Sequence, residues 1–210
     1  MFNASTHTLF IASINLSPKS APLSPVKSTR LVIRPITEYD EQLATDSLVR
    51  RMYAWRGYLV KRQFSNVRNP DHVTLAAWQD GELAATLTLS RDKGSDLLCE
   101  TLYPKEIAAL RARSQKLCEF TRLAIDPKFS SPALLDAFLR SAHNFSRSHF
   151  DATTAVVEIN PRHRRYYERE LGFAQVGERR VCPRVDAPAI LLHRDLRHSH
   201  PRKIETAIAA

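Results

Sequence analysis

The stretch that most constrains this chain runs from Lys116 to Phe173. It opens with an apolar, β-like run, Leu117 to Ile125, that carries Glu119 and Arg122 among its hydrophobic residues. Charged side chains inside a buried strand cost free energy unless they are paired or put to use. Pro127 breaks the run, and Ser131-Pro132 begins an amphipathic helix to about His149. Leu134, Leu135, Phe138, Leu139, Ala142 and Phe145 line one face of that helix. A second strand, Thr153 to Ile159, leads through Asn160-Pro161 into a helix that Gly172 stops. Strand, helix, strand, helix, with polar groups at the strand ends, predicts an α/β unit whose site lies where the strands finish.

The flanking sequence supplies more of the sheet. Arg30 to Ile36 alternates like a strand, with Pro35 at its edge or end. Thr37 to roughly Tyr58 reads as a helix, with Thr37 as N-cap and Leu43, Leu48, Met52 and Trp55 spaced for one apolar face. Its other face, continued into the next segment, carries Arg50, Arg51, Arg56, Lys61 and Arg62. Two β-like runs, His72 to Trp78 and Glu82 to Ser90, flank Gln79-Asp80-Gly81 and predict a hairpin. Ser95 to Tyr103 is irregular, and Pro104 opens a short helix to about Arg113. Phe173 to Val181 and Ala189 to Leu196 close the chain as two strands. Residues 1–28 are rich in Ser, Thr, Pro and Asn and are expected to form a flexible arm, with a loose tail over 198–210. Residues 29–197 then make one domain.

Charge limits the partners. The 210 residues carry a formal net charge of +9, which favours an acidic partner: a carrier protein, an anionic membrane surface or nucleic acid. Aromatic residues are not interleaved with the basic clusters as base-stacking requires, apart from Tyr53, Trp55 and Tyr58, so nucleic acid is not expected. Three cysteines, Cys99, Cys118 and Cys182, form an odd set without metal-ligand spacing. That favours a reducing, cytoplasmic location, with no disulfide framework and no metal. The apolar patch LFIASI near the N-terminus lacks a basic flank and a clean cleavage site, so no signal peptide is expected.

The segment NPRHRRYYERELGF resembles the Asn…Tyr…Gly-Phe segment of GNAT-type acyltransferases. Together with LYPKEIAALR (Leu102 to Arg111), CEFTRLAID (Cys118 to Asp126) and VDAPAILLHRDL (Val185 to Leu196), it resembles the FeeM-type N-acyl amino acid synthases, relatives of the acyl-homoserine-lactone synthases. The resemblance covers roughly residues 30 to 196. It implies a GNAT-like α/β fold, with a mixed, largely antiparallel central sheet and flanking helices. It also implies transfer of a long-chain acyl group from a carrier-protein thioester to the α-amine of an amino acid. Acyl-homoserine-lactone synthesis, CoA-dependent acetylation and a non-catalytic basic binding module are the rivals.

Thioester aminolysis needs a neutral amine, a stabilised oxyanion and a proton for the leaving thiolate. Glu119 is the candidate base; a structural carboxylate held by Arg122 or by a backbone amide is the competing reading. Arg122 suits a substrate carboxylate or pairing with Glu119. Residues three apart in a regular strand face opposite sides, so joint action of the two needs a bulge. Tyr167, five residues before Gly172, matches the position of the GNAT general-acid tyrosine, with Tyr166 as its competitor. Asn160 suits a cap or a pantetheine contact. Cys118 beside Glu119 would permit a covalent route, but no partner histidine is evident.

One departure from the GNAT pattern bears on the donor. The stretch Asp126-Pro-Lys-Phe-Ser-Ser-Pro-Ala133 stands where CoA-using GNAT proteins carry a glycine-rich pyrophosphate loop, and it contains no glycine. Pro132 also removes an amide donor. Carrier-bound acyl-phosphopantetheine is therefore expected as donor, ahead of acyl-CoA, with no tightly bound cofactor. Leu123, Ile125, Lys128, Ser130, Ser131, Asn160 and Arg162 are the candidate donor-binding residues. The basic residues of 50–62 and 162–169 would steer an acidic carrier, and the same charge allows peripheral association with a membrane.

Overall fold

Asp80 and Gly81 both take left-handed φ angles, 52° and 87°, the geometry that lets a two-residue turn join twisted antiparallel strands. They link β2 (His72–Gln79) to β3 (Glu82–Arg91). In the computed structural model, which describes residues 30–58, 69–113 and 115–198, this hairpin sits in a seven-stranded sheet. The expected arm, Lys61, Arg62 and nearly all of the tail lie outside the described residues.

On one side of the hairpin stands β1 (Leu31–Pro35), and on the other β4 (Leu117–Ile125), both antiparallel to their neighbours. The second half consists of β5 (Thr154–Ile159), β6 (Ala174–Cys182) and β7 (Ala187–Asp195). The sheet order is β1-β2-β3-β4-β5-β7-β6, and the β4–β5 contact is its one parallel pair. This is the expected mixed, largely antiparallel sheet. The final strands start and end within two residues of where the sequence puts them.

Helices cover both faces. Helix α3 (Pro132–Phe150) and α4 (Arg164–Leu171) pack Leu134, Phe138, Leu139 and Leu171 into the main core. On the opposite face, α1 (Tyr39–Trp55) sets Leu48 and Val49 against Ala124. Beside it, α2 (Pro104–Ala112) and the preceding 3₁₀ turn, Leu98–Thr101, enclose a second core of Tyr103, Ile107, Leu110, Leu117, Val156 and Leu191. Ser131 caps α3 by accepting from Leu134 N at 3.1 Å, and Gly172 ends α4 with φ 68°. Among the described residues no helix is long and apolar enough to cross a membrane.

Three expectations are corrected. Helix α1 is capped by Glu38, not Thr37, because Glu41 folds back to accept from Thr37 N at 3.0 Å while Arg34 pins its carboxylate. Its buried face is Gln42, Thr45, Asp46, Leu48 and Val49; Leu43 and Trp55, expected inside, are exposed. The helix expected from Pro161 begins as a 3₁₀ turn, Pro161–His163, before α4.

Candidate active site

The two halves of the sheet part in the middle. Strands β4 and β5 pair only over Leu117–Glu119 against Thr154–Val156. Beyond that point β4 continues to Ile125 and β5 to Ile159 without pairing to each other. Glu119 is thus the last residue of β4 paired to β5, at the apex of a fork. Opposite β3, register is lost between Thr86 and Thr88, and the extra residue falls at Arg122–Leu123. Arg122 takes φ 57°, a left-handed conformation that costs a non-glycine residue and persists only where its surroundings impose it. This is the bulge that joint action of Glu119 and Arg122 requires.

Glu119 is fully buried on the α2 face of the sheet. Its carboxylate accepts two backbone hydrogen bonds, from Leu98 N to Oε2 at 2.7 Å and from Cys99 N to Oε1 at 2.8 Å. Burial raises its pKa, and the two amides and the charge of Arg184 oppose that rise. The amide-held alternative therefore describes its bonds. A buried carboxylate at a strand fork, with its pKa pushed upward, also has the properties of a general base.

Arg122 reaches Asp46 on α1, forming a largely buried pair. The second oxygen of Asp46, Oδ2, is buried and has no hydrogen-bond partner among the described residues. Leaving a buried carboxylate oxygen unsatisfied is costly, and such an atom marks a place for a donor. Tyr53, two turns along α1, lies within the field of the Arg122 charge; burial nevertheless pushes its phenol up to about 12.

Tyr167 and Tyr166 both lean on the main core. Tyr167 stands edge-on to Phe173 at 5.5 Å and is close enough to Tyr53 to couple with it electrostatically. Burial raises the Tyr167 pKa, so its hydroxyl stays protonated throughout the neutral range. Asn160 does cap the turn after β5, accepting from Arg162 N at 3.2 Å. Its Nδ2 donates to Tyr58 Oη at 3.1 Å, and Arg162 Nη2 donates to the same oxygen at 3.0 Å. These three form the β5 side of the fork mouth.

The remaining candidates lie on the β4 side. Leu123 and Ile125 pack against the main core. Lys128 Nζ is held by Glu82 at 2.7 and 2.5 Å and lies over the Phe129 ring. Ser130 is exposed, and Ser131 is engaged in capping. The seven donor-binding candidates therefore divide between two lips of the fork and do not form one cluster. Cys118, on the opposite face from Glu119, is buried beside Ser146 Oγ at 3.4 Å. Its thiol is pushed up to about 12, which disfavours a thiolate nucleophile. All three cysteines are free and buried.

Asp46, Tyr53 and Tyr58 were not singled out for the site from sequence. One signal was present: Gln42, Thr45, Asp46 and Val49 recur at helical spacing, a mostly polar stripe turned toward a sheet.

A family model described as N-acyl amino acid synthase FeeM matches residues 44–195. Among solved structures, that of FeeM, an N-acyl amino acid synthase from uncultured soil microbes, has a TM-score of 0.74 at 25% identity. The match covers 81% of this chain and 93% of that one. The AHL synthase LasI has a TM-score of 0.56 at 15% identity, covering 80% of this chain and 90% of its own. Escherichia coli ElaA has a TM-score of 0.60 at 11% identity, covering 79% and 100%. At those identities the last two show a shared fold. No curated protein sequence gives a significant match.

Proposed function

The chain belongs to the family of N-acyl amino acid synthases described by FeeM, and we propose that it moves a long-chain acyl group from an acyl carrier protein thioester to the α-amine of a free amino acid. The observation that carries the acceptor side is the Arg122–Asp46 pair with its unsatisfied Oδ2. A zwitterionic amino acid fits it: the carboxylate on the Arg122 guanidinium, the α-ammonium on Asp46 Oδ2. Glu119, at the apex of the fork, takes a proton from that ammonium, through an intervening water because its carboxylate is enclosed. The neutral nitrogen attacks the thioester carbon, and the C–S bond breaks as the amide forms. Tyr167 gives its phenolic proton to the departing thiolate and recovers one from the nitrogen, which sheds its second proton as the amide forms.

The donor reading rests on the start of α3. Pro132 has no N–H, Leu134 N is taken by Ser131, and Lys128 is tied to Glu82. Little is left there to hold a pyrophosphate, whereas a carrier-bound phosphopantetheine carries a single phosphate. Its extended amide chain would lie along the free edge of β4 beside Leu123 and Ile125, reaching toward Asn160 and Arg162. Exposed Arg162, Arg164, Arg165 and Arg169 offer positive charge to an acidic carrier.

The test is mass spectrometry of lipid extracts from cells expressing the chain, beside E119Q. New N-acyl amino acid masses that disappear in E119Q support the reading and identify acceptor and chain length together. Their absence from both, with purified protein turning over acetyl-CoA, would assign it a different acyl transfer.

A further inference from the structure

Arg184, in the turn between β6 and β7, donates from Nη1 to Leu98 O at 2.9 Å and from Nη2 to Glu158 Oε2 at 2.6 Å. That carbonyl belongs to the same peptide group as Cys99 N, which donates to Glu119. The N–H of Leu98 itself donates to the other Glu119 oxygen. One peptide group therefore has a guanidinium at its oxygen and a carboxylate at its hydrogen. A cation bound to a carbonyl polarises the peptide and strengthens its N–H as a donor.

We propose that Arg184 is a positioning residue for acyl transfer: through the Leu98–Cys99 peptide it holds Glu119 ionised and aimed at the fork. This rests on the reading of Glu119 as the base. Glu158, on β5, in turn fixes the guanidinium, so the arrangement ties together the turn before α2, β4, β5 and the β6–β7 turn. The titratable and charged groups packed around it are Cys99 from the 3₁₀ turn, Tyr103 and Glu106 from the start of α2, and Glu158 from β5. Arg180, Cys182 and Arg184 come from β6 and the turn after it. Cys118 lies behind Glu119 on the other face of β4, where Ser90 of β3 stands opposite Glu119 without charge. Among them Arg184 is the cation whose charge favours the ionised form of Glu119.

The experiment is the pH dependence of kcat/KM in R184Q and R184K. Loss of the cation disfavours the carboxylate, so the acid limb in R184Q moves up by about one pH unit, roughly a tenfold loss at low pH with the plateau retained. R184K keeps the charge and restores most of the shift. A uniform loss at every pH, with the acid limb in place, would reduce Arg184 to a structural tie and overturn the proposal. The infrared carboxyl band of Glu119, isolated as the difference between the native chain and E119Q, follows the same protonation without turnover. If E119Q proves fully active, the base reading fails and the role of Arg184 in transfer falls with it. If E119Q is inactive, the band decides on Arg184 alone: an upward shift of its midpoint in R184Q supports the link, and an unmoved band overturns it.

Discussion

The ring of Tyr103 occupies the space that a side chain on residue 177 would need: a Cβ built on Gly177 would lie 2.6 Å from Tyr103 Cδ1 and Cε1. The tyrosine hydroxyl passes over β6 and shares its one proton between Glu178 O at 3.0 Å and Ala189 O at 2.9 Å. Arg180 covers the ring at 4.6 Å. Tyr103 thereby fastens α2, and with it the turn that holds Glu119, onto the far edge of the sheet.

G177A should therefore cost about 1–3 kcal/mol, because a rigid ring and Leu191 must both give way. Thermal unfolding followed by circular dichroism checks this. An unchanged midpoint would mean that Tyr103 packs more loosely than its contacts indicate.

D46N keeps the shape of the Asp46 side chain but removes the charge that the acceptor ammonium needs. The KM for the amino acid should rise about ten- to a hundredfold, while the KM for the acyl donor stays within about twofold. Steady-state kinetics with each substrate varied in turn separates the two effects.

The phenols of the Tyr166–Tyr167 pair should behave differently. Y167F removes the proposed proton donor and should lower kcat by about 10²-fold, whereas Y166F should be nearly neutral. Because burial holds the Tyr167 proton firmly, the native enzyme should show no loss of activity from Tyr167 ionisation up to about pH 10. Equal effects of the two substitutions would remove Tyr167 from the mechanism.

Carrier docking predicts a salt signature. The double variant R165E/R169E reverses two exposed charges on α4. It should raise the KM for an acyl carrier protein several-fold at low ionic strength, with the difference shrinking as salt is added. Turnover of a short acyl-pantetheine should not change, since that substrate has no acidic surface to dock.

Acid stability should follow two histidines. Burial and neighbouring arginines hold His143 and His163 at about 4, below their ordinary 6.5. The unfolded chain binds more protons at these sites between those values, so stability is complete above about pH 6.5 and falls as pH drops toward 4. Urea midpoints measured across that window should decline with acid, and H143N should flatten the decline.

Much of the frame can be read along the chain because its signals are local. Asp80-Gly81 allows one turn geometry, Pro104 and Ser131-Pro132 start helices, and Gly172 ends one. The resemblance carried by residues 102–196 is borne out by the family match. The buried face of α1 shows where pattern reading stops. Apolar spacing draws Leu43 and Trp55 inward, yet the helix turns Gln42, Thr45 and Asp46 to the sheet, because what it covers there includes the Arg122 guanidinium that Asp46 pairs with. The partners of Glu119 and Arg122 were out of reach for another reason. Leu98, Arg184 and Asp46 are separated from them by many residues, and only the folded topology brings them together.

The short β4–β5 junction also bears on how the molecule assembles. Strands β1 to β4 pair in sequence order, and β5, β6 and β7 form their own antiparallel set, so each half has a complete set of ladders of its own. Three residues of parallel pairing join them. The seam has the fewest paired residues of any ladder to repay the closing of its loop, so it is expected to close last. Substitutions at Thr154–Val156 should then leave the refolding rate nearly unchanged and speed unfolding. The proposed meeting place of the substrates would thus be the last part of the sheet to form, and a chain still emerging from the ribosome would have no complete fork until its C-terminal half had docked.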